Sequence, residues 1–118
     1  MAFPITERYN AVVITPKGEF FGSIQGEQFR EEMADLRADG KKNFVLDLGE
    51  TTLMDSSGIG VLIAEAEALR AEGGDLRLAR VEARVRNLFL MTRLLGEVFT
   101  LYPTVDEAVK SYSESVEE

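Results

Sequence analysis

The sequence predicts an α/β domain: a mixed, largely parallel central sheet of about five strands with about four helices, opened by an N-terminal hairpin. Three observations lead there. Strand-like and helix-like patterns alternate after the opening pair of strands. Phe44-Val45-Leu46-Asp47-Leu48 is the short apolar run of a strand covered on both faces, and Met54 to Gly60 joins an apolar strand region to an amphipathic helix. At 118 residues and 45% hydrophobic content, the chain can build one core without metal or disulfide, so 1–118 reads as a single domain.

Ile5 to Tyr9 and Ala11 to Thr15 are short β-branched runs meeting near Asn10, which predicts the hairpin; Pro16-Lys17-Gly18 ends its second strand. Phe29, Met33 and Leu36, with Glu31, Glu32, Asp35 and Arg37 between them, predict a first helix ending near Asp39-Gly40. Lys41-Lys42 returns the chain to the central strand. Ile59, Leu62, Ile63, Ala66 and Leu69 then recur at helical spacing until Gly73-Gly74 stops the second helix. Leu76, Leu78 and Val81 alternate around Arg77 and Arg80 as a strand. Val85, Leu88, Phe89 and Thr92 mark a third helix, and Val98 to Tyr102 a last strand. Thr104 and Glu107 form a capping box that opens a fourth helix with Val105, Ala108, Val109 and Tyr112 as its apolar stripe. Residues 113–118 read as a frayed acidic tail.

Composition removes much chemistry. The chain has no cysteine and no histidine, so disulfides, thiolate chemistry, Cys/His zinc sites and a Ser-His-Asp triad of its own are excluded. No catalytic residue, metal ligand or cofactor is expected. The start, Met1-Ala2-Phe3-Pro4-Ile5, lacks a basic region followed by an apolar one, and no apolar run approaches a membrane span, so a cytoplasmic protein is expected. With 21 acidic against 13 basic residues and a net charge of −8, neither nucleic acid nor an anionic membrane is an expected partner. A protein or a small molecule fits better.

The stretch Met54-Asp55-Ser56-Ser57-Gly58-Ile59-Gly60 carries the functional signal. It places two hydroxyls at a helix N-terminus, where backbone N–H groups lack intrahelical partners and the dipole is positive. Asp55, Ser56 or Ser57 can cap the helix, and Gly58 and Gly60 keep the backbone open to close approach. A serine so placed can also be modified. The phosphate-loop pattern G-x-x-x-x-G-K-[ST] is absent, as is the G-x-S-x-G nucleophile elbow.

Val45-Leu46-Asp47-Leu48, the D-S-[ST]-G-[LIV]-G element Asp55 to Gly60, and Gly73-Gly74 before a strand together resemble the STAS domain, in its anti-sigma factor antagonist branch. The resemblance runs from Gly18-Glu19 to the last helix and implies the STAS fold. It also implies a non-enzymatic regulator, monomeric or weakly dimeric. The unphosphorylated form would bind an anti-sigma factor that is also a serine kinase and free the sigma factor. Phosphorylation at Ser56, the first serine of the motif, would end binding until a PP2C-type phosphatase reverses it. Asp55, Ser56, Ser57, Gly58, Ile59 and Gly60, with Glu19 and Phe20, are the implied partner-binding residues. Two positions depart from the family. Gly18-Glu19-Phe20-Phe21 leads into Gly22-Ser23-Ile24-Gln25-Gly26 where Gly-Glu-Leu-Asp is frequent, and Arg93 precedes Leu94 where a glycine is frequent.

Blander readings stand beside these. Ser57 reads as a cap or packing hydroxyl, Asp55 as either cap or recognition residue, and of Phe20 and Phe21 one is expected inside and one outside. Met91, Leu94 and Leu95 read as core before they read as partner surface. A STAS scaffold that is never phosphorylated, serving in a signalling or lipid-transport assembly, is the alternative function. A small-ligand or nucleotide-binding domain is a third.

Overall fold

Ile5–Arg8 (β1) and Ala11–Ile14 (β2) pair as the expected antiparallel hairpin, with Arg8 opposite Ala11 and a two-residue turn at Tyr9-Asn10. The structure, a computed structural model, describes residues 3–91 and 99–116. Gly18–Phe20 (β3) leads into helix α1, Gln25–Ala38, which ends at Asp39 and Gly40, the latter at φ +87°. Asn43–Asp47 (β4), Thr51–Met54 (β5) and helix α2, Ser56–Ala71, follow. Asp75–Ala79 (β6), Ala83–Met91 (α3), Leu101–Tyr102 (β7) and Val105–Val116 (α4) complete the described chain.

The central sheet has the order β1-β2-β4-β6-β7, and every neighbouring pair except the hairpin is parallel. This is the mixed, largely parallel five-stranded sheet with four helices that the alternation predicts. Its two faces bury different side chains, as period-2 geometry requires. Val12, Ile14, Phe44, Leu46, Leu76 and Leu78 enter the larger core with Phe29, Met33, Leu62, Leu69, Val85 and Phe89 from α1, α2 and α3. Ala11, Val13, Val45 and Ala79 face the other way, beneath Ala108, Val109 and Tyr112 of α4.

Several boundaries differ from the sequence reading. Strands β3 and β5 form a separate two-stranded parallel sheet that the pattern does not announce. Each is too short, and too little of it is buried, for alternation to register. The last strand contracts to Leu101–Tyr102, with Phe99 buried just before it. Helix α4 runs on to Val116, so Ser113 to Val116 are helical where a frayed tail is expected. Expectations placed on Thr92, Arg93, Leu94, Leu95 and Val98, and on the side chain of Met91, lie outside the described residues.

The ends of α2 and α4 are fixed by specific contacts. Thr104 Oγ1 accepts from the Glu107 N–H at 3.1 Å, so the cap on α4 forms as predicted. Gly73 adopts φ +87° after α2, and a Cβ at Gly74 would lie 2.1 Å from the Lys42 carbonyl oxygen, so this turn admits only glycine at its closest approach. Helix α4 is held to the sheet by the buried Tyr112 hydroxyl. It lies 2.7 Å from the Phe44 carbonyl and 2.8 Å from the Asp75 carbonyl, either of which its proton can serve, and it accepts from the Phe44 N–H at 3.2 Å. Burial, with the Asp75 charge, pushes its pKa well above the ordinary phenol value. The Arg77 guanidinium covers its ring at 4.0 Å.

Helix α2 carries a feature its apolar stripe hides. Glu65 is buried between α1 and α2, 3.5 Å from Arg37, which also binds Glu72 at 2.7 Å. Its Oε1 has no hydrogen-bond partner among the described residues. Burial raises the Glu65 pKa, and the opposing charges of Arg37 and Arg30 only partly offset it.

Two expectations follow from these contacts. Tyr112→Phe leaves buried backbone groups without their hydroxyl partner and should cost about 1–3 kcal/mol in a denaturant melt. Because the folded pKa of Glu65 is raised, its charge opposes folding as pH rises through that value, and the opposition fades on acidification. Glu65→Gln should therefore be as stable as the wild type at neutral pH, or more stable by about 1 kcal/mol, with the difference closing at acidic pH. A neutral-pH loss would mean that the Arg37 attraction outweighs burial.

Candidate functional site

Strand β5 ends at Met54, and Asp55 turns the chain into α2 with extended backbone angles, φ −107° and ψ 173°. That conformation is the one an N-cap requires. Of the three capping candidates, Asp55 takes the role. Its Oδ1 accepts the Gly58 N–H at 2.7 Å, the Gly22 N–H at 3.1 Å and the Ser57 hydroxyl at 3.1 Å. Partial burial alone would raise the Asp55 pKa; the N–H groups of Gly22 and Gly58 and the Ser57 hydroxyl overcome it and hold the carboxyl below its ordinary value.

The two serines are thereby made unequal. Ser57 is committed to Asp55 and lies under the loop before α1: a Cβ on Gly22 would fall 2.5 Å from its Oγ and 2.6 Å from its carbonyl carbon. Ser56 is exposed at the first turn of α2, and its hydroxyl makes no hydrogen bond among the described residues. No acidic side chain lies in that first turn, so the positive helix end beside Ser56 is offset only by the cap.

The remaining predicted positions divide by burial. Glu19 and Gly60 are exposed, and a Cβ at Gly60 would meet nothing within 4 Å, which leaves a low surface one turn beyond Ser56. Gly58 and Ile59 are buried. Gly58 serves packing: a Cβ there would come 2.6 Å from the Phe20 carbonyl oxygen, pressing β3 away from α2. Phe20 itself is fully buried, edge-on to Phe29 with ring centroids 5.6 Å apart, so its assignment as a partner-binding side chain is corrected to core. Its neighbour Phe21 is half-buried, so the expected pair of one inside and one outside is met only for the inner ring.

Sequence reasoning missed Gly22, Ile24 and Leu53. Gly22 brings the β3–α1 loop onto α2, and Ile24 and Leu53 are exposed apolar residues, on that loop and on β5 just before Asp55. A lone glycine in a turn and single apolar residues in short elements leave no periodic signal. Among the described residues, no group of three or more potential ligands is arranged for a metal ion, and no helix is long and apolar enough to cross a membrane.

Comparison with known proteins places this arrangement among relatives. The STAS domain family model matches residues 2–108. BtrV of Bordetella bronchiseptica, provisionally named an anti-sigma factor antagonist, is 33% identical over 74 residues, covering 63% of this chain and 64% of its own length. The match thus spans less than two thirds of that curated relative. A Thermotoga maritima structure, provisionally described as an anti-sigma factor antagonist, superposes with a TM-score of 0.84 at 22% identity over 92% of both chains, which shows the common fold. The Bacillus cell fate determinant SpoIIAA in its phosphorylated form matches with a TM-score of 0.72 at 25% identity over 94% of this chain and 99% of that one.

The Asp55 clasp gives a pH-dependent expectation. A carboxyl with a depressed folded pKa contributes stability that is complete above its unfolded value and is lost as pH falls through the folded value. Asp55→Ala should cost about 1–2 kcal/mol at neutral pH. Its melting temperature should converge on that of the wild type as the buffer is acidified past the carboxylate range.

Proposed function

The chain belongs to the STAS domain family, and we propose that it is an anti-sigma factor antagonist whose Ser56 is both phosphorylation site and switch. The observation that carries this is the asymmetry of the serines: both are exposed at a positive helix end, but the Ser56 hydroxyl is unengaged among the described residues, whereas that of Ser57 is bound to Asp55. In this reading the unphosphorylated protein binds an anti-sigma factor serine kinase and frees the sigma factor. The kinase then uses ATP to modify Ser56, and a PP2C-type phosphatase restores the hydroxyl. The protein itself is non-enzymatic, and it works in the cytoplasm. The names of its relatives support this reading, as does the existence of a phosphorylated SpoIIAA.

Phosphorylation would add about −1.5 to −2 charges and three acceptor oxygens at Ser56. The helix end can accommodate them within the antagonist, because free N–H groups and the dipole favour an anion there. A partner surface fitted to a neutral hydroxyl meets bulk, charge and a desolvation cost instead. A roughly hundredfold loss of affinity needs only about 2.7 kcal/mol of differential binding. One uncompensated charge in a partly buried interface supplies that without refolding.

Incubation with ATP, magnesium and candidate kinases, followed by peptide mass spectrometry, should place one phosphate on Ser56, abolished in Ser56→Ala. Ser56→Ala should keep full affinity for the kinase, and Ser56→Asp should lose roughly a hundredfold. Equal affinities of the two folded variants for a kinase that labels the wild type would sink the switch.

A further inference from the structure

The structure has a concave site at the end of the sheet opposite Ser56. Helix α2 runs 16 residues, roughly 24 Å, from Ser56 to the turn where Gly74 meets the Lys42 carbonyl. Beside that turn, between the β1–β2 hairpin and the α1–β4 connection, lies a cleft of about 300 Å³. That volume is at the lower end of the range for small-molecule sites.

Its chemistry is unlike the rest of this acidic surface. Lys41 and Lys42 line it, with Glu7 as its one carboxylate, and Glu7 is already paired with Lys41 at 2.6 Å. Lys42 makes no ion pair among the described residues and acts on Glu72 only through space. The side chains of Asn10 and Asn43 add amide donors, one of them bonded to the Asn10 carbonyl at 3.3 Å, and Ala11 and Val12 form an apolar floor.

The rim is the unusual part. Tyr9 stands at φ +57° in the hairpin turn and is 84% exposed. A bulky residue in the left-handed region is a genuine outlier, and hairpin turns use Gly, Asn or Asp there. Packing does not explain the strain, because the ring is turned to solvent at the mouth of the cleft. A strained, exposed aromatic and an ammonium in no ion pair among the described residues, lining one cleft, suit a flat ligand that stacks on the ring and carries a negative group for the lysine.

We propose that this cleft binds a small planar anion, a conjugated ring bearing a carboxylate or a phosphate, between the Tyr9 ring and Lys42. The proposal is independent of the Ser56 switch, and its test leaves that switch untouched.

The test is a ¹H–¹⁵N NMR titration of the full chain with three probes: benzoate, inorganic phosphate and benzyl alcohol. Benzoate should move the amides of Asn10 and residues 40–43 saturably, with an affinity roughly tenfold above that of either probe carrying only the charge or only the ring. Phosphate approaching benzoate in strength would mean that the charge alone is read, and the planar ligand would be wrong. Tyr9→Asn retains a residue that tolerates the left-handed turn, so it should melt no lower than the wild type while losing the preference for benzoate. Lys42→Gln should weaken benzoate binding roughly fivefold or more. Absence of a saturable shift, shifts centred on other lysines, or wild-type binding by folded Tyr9→Asn would each overturn the proposal.

Discussion

One carboxylate oxygen organises the end of the molecule where α2 begins. Asp55 Oδ1 accepts from Gly58 within α2, from Gly22 in the loop before α1, and from Ser57. A single acceptor thereby ties the first turn of α2 to a loop 33 positions away in sequence, and two of its three donors are glycine N–H groups. Glycine is required at both for steric reasons: a side chain on Gly22 would strike Ser57, and one on Gly58 would strike the Phe20 carbonyl. The hydrogen bonds and the close packing depend on each other, because neither donor could approach the carboxylate at its observed distance from a backbone pushed outward by a Cβ.

The sheet supplies the rigid base on which this cap is mounted. Asp47 at the end of β4 is buried; its Oδ1 accepts the Gly49 N–H at 3.0 Å and its Oδ2 an Arg80 N–H at 3.2 Å. Arg80 itself adopts φ +57°, and its guanidinium lies where a Cβ on Gly49 would have to go. The β4–β5 connection is thus pinned from the side by β6 before the chain reaches Asp55. Thr51, fully buried, adds a bond from its hydroxyl to the Pro16 carbonyl at 2.9 Å and fixes the start of β5 against the chain leading into β3. These polar contacts, rather than apolar burial, set the direction in which β5 delivers the motif.

What was legible in the sequence follows the range of each signal. Periodicity reports elements long enough to repeat, so α1, α2, β4 and β6 are read nearly in full, and α4 as far as its apolar stripe runs. The Thr104 cap and the Gly73-Gly74 stop are local chemistry, read residue by residue. Strands β3 and β5 have no such repeat, and their pairing depends on contacts between residues some thirty positions apart. The same limit governs the site. Asp55, Ser56 and Ser57 are visible because they are contiguous, whereas the role of Gly22 depends on a contact across 33 positions. Adjacent aromatics do not reveal which of them points inward; Phe29 and Phe3, packed on the Phe20 ring, make it core rather than surface.

The adjacency of Ser56 and Ser57 separates two demands that a charge switch must meet. The residue that gains charge must be reachable, and its modification must not undo the structure that presents it. Ser57 is exposed as well but fails the second condition, since its hydroxyl is bonded to the capping carboxylate and Gly22 is packed against it. A phosphate there would set its negative charge beside Asp55 and displace the loop before α1. Ser56 lies one residue earlier, outside the clasp, with its hydroxyl in no bond among the described residues and with the positive end of α2, offset only by the cap, beside it. In the proposed reading, charge added at Ser56 bears on a partner docked against the helix end, while the Asp55 contacts that define that end stay intact. The cap fixes the geometry, and the residue after it is left free to change chemistry.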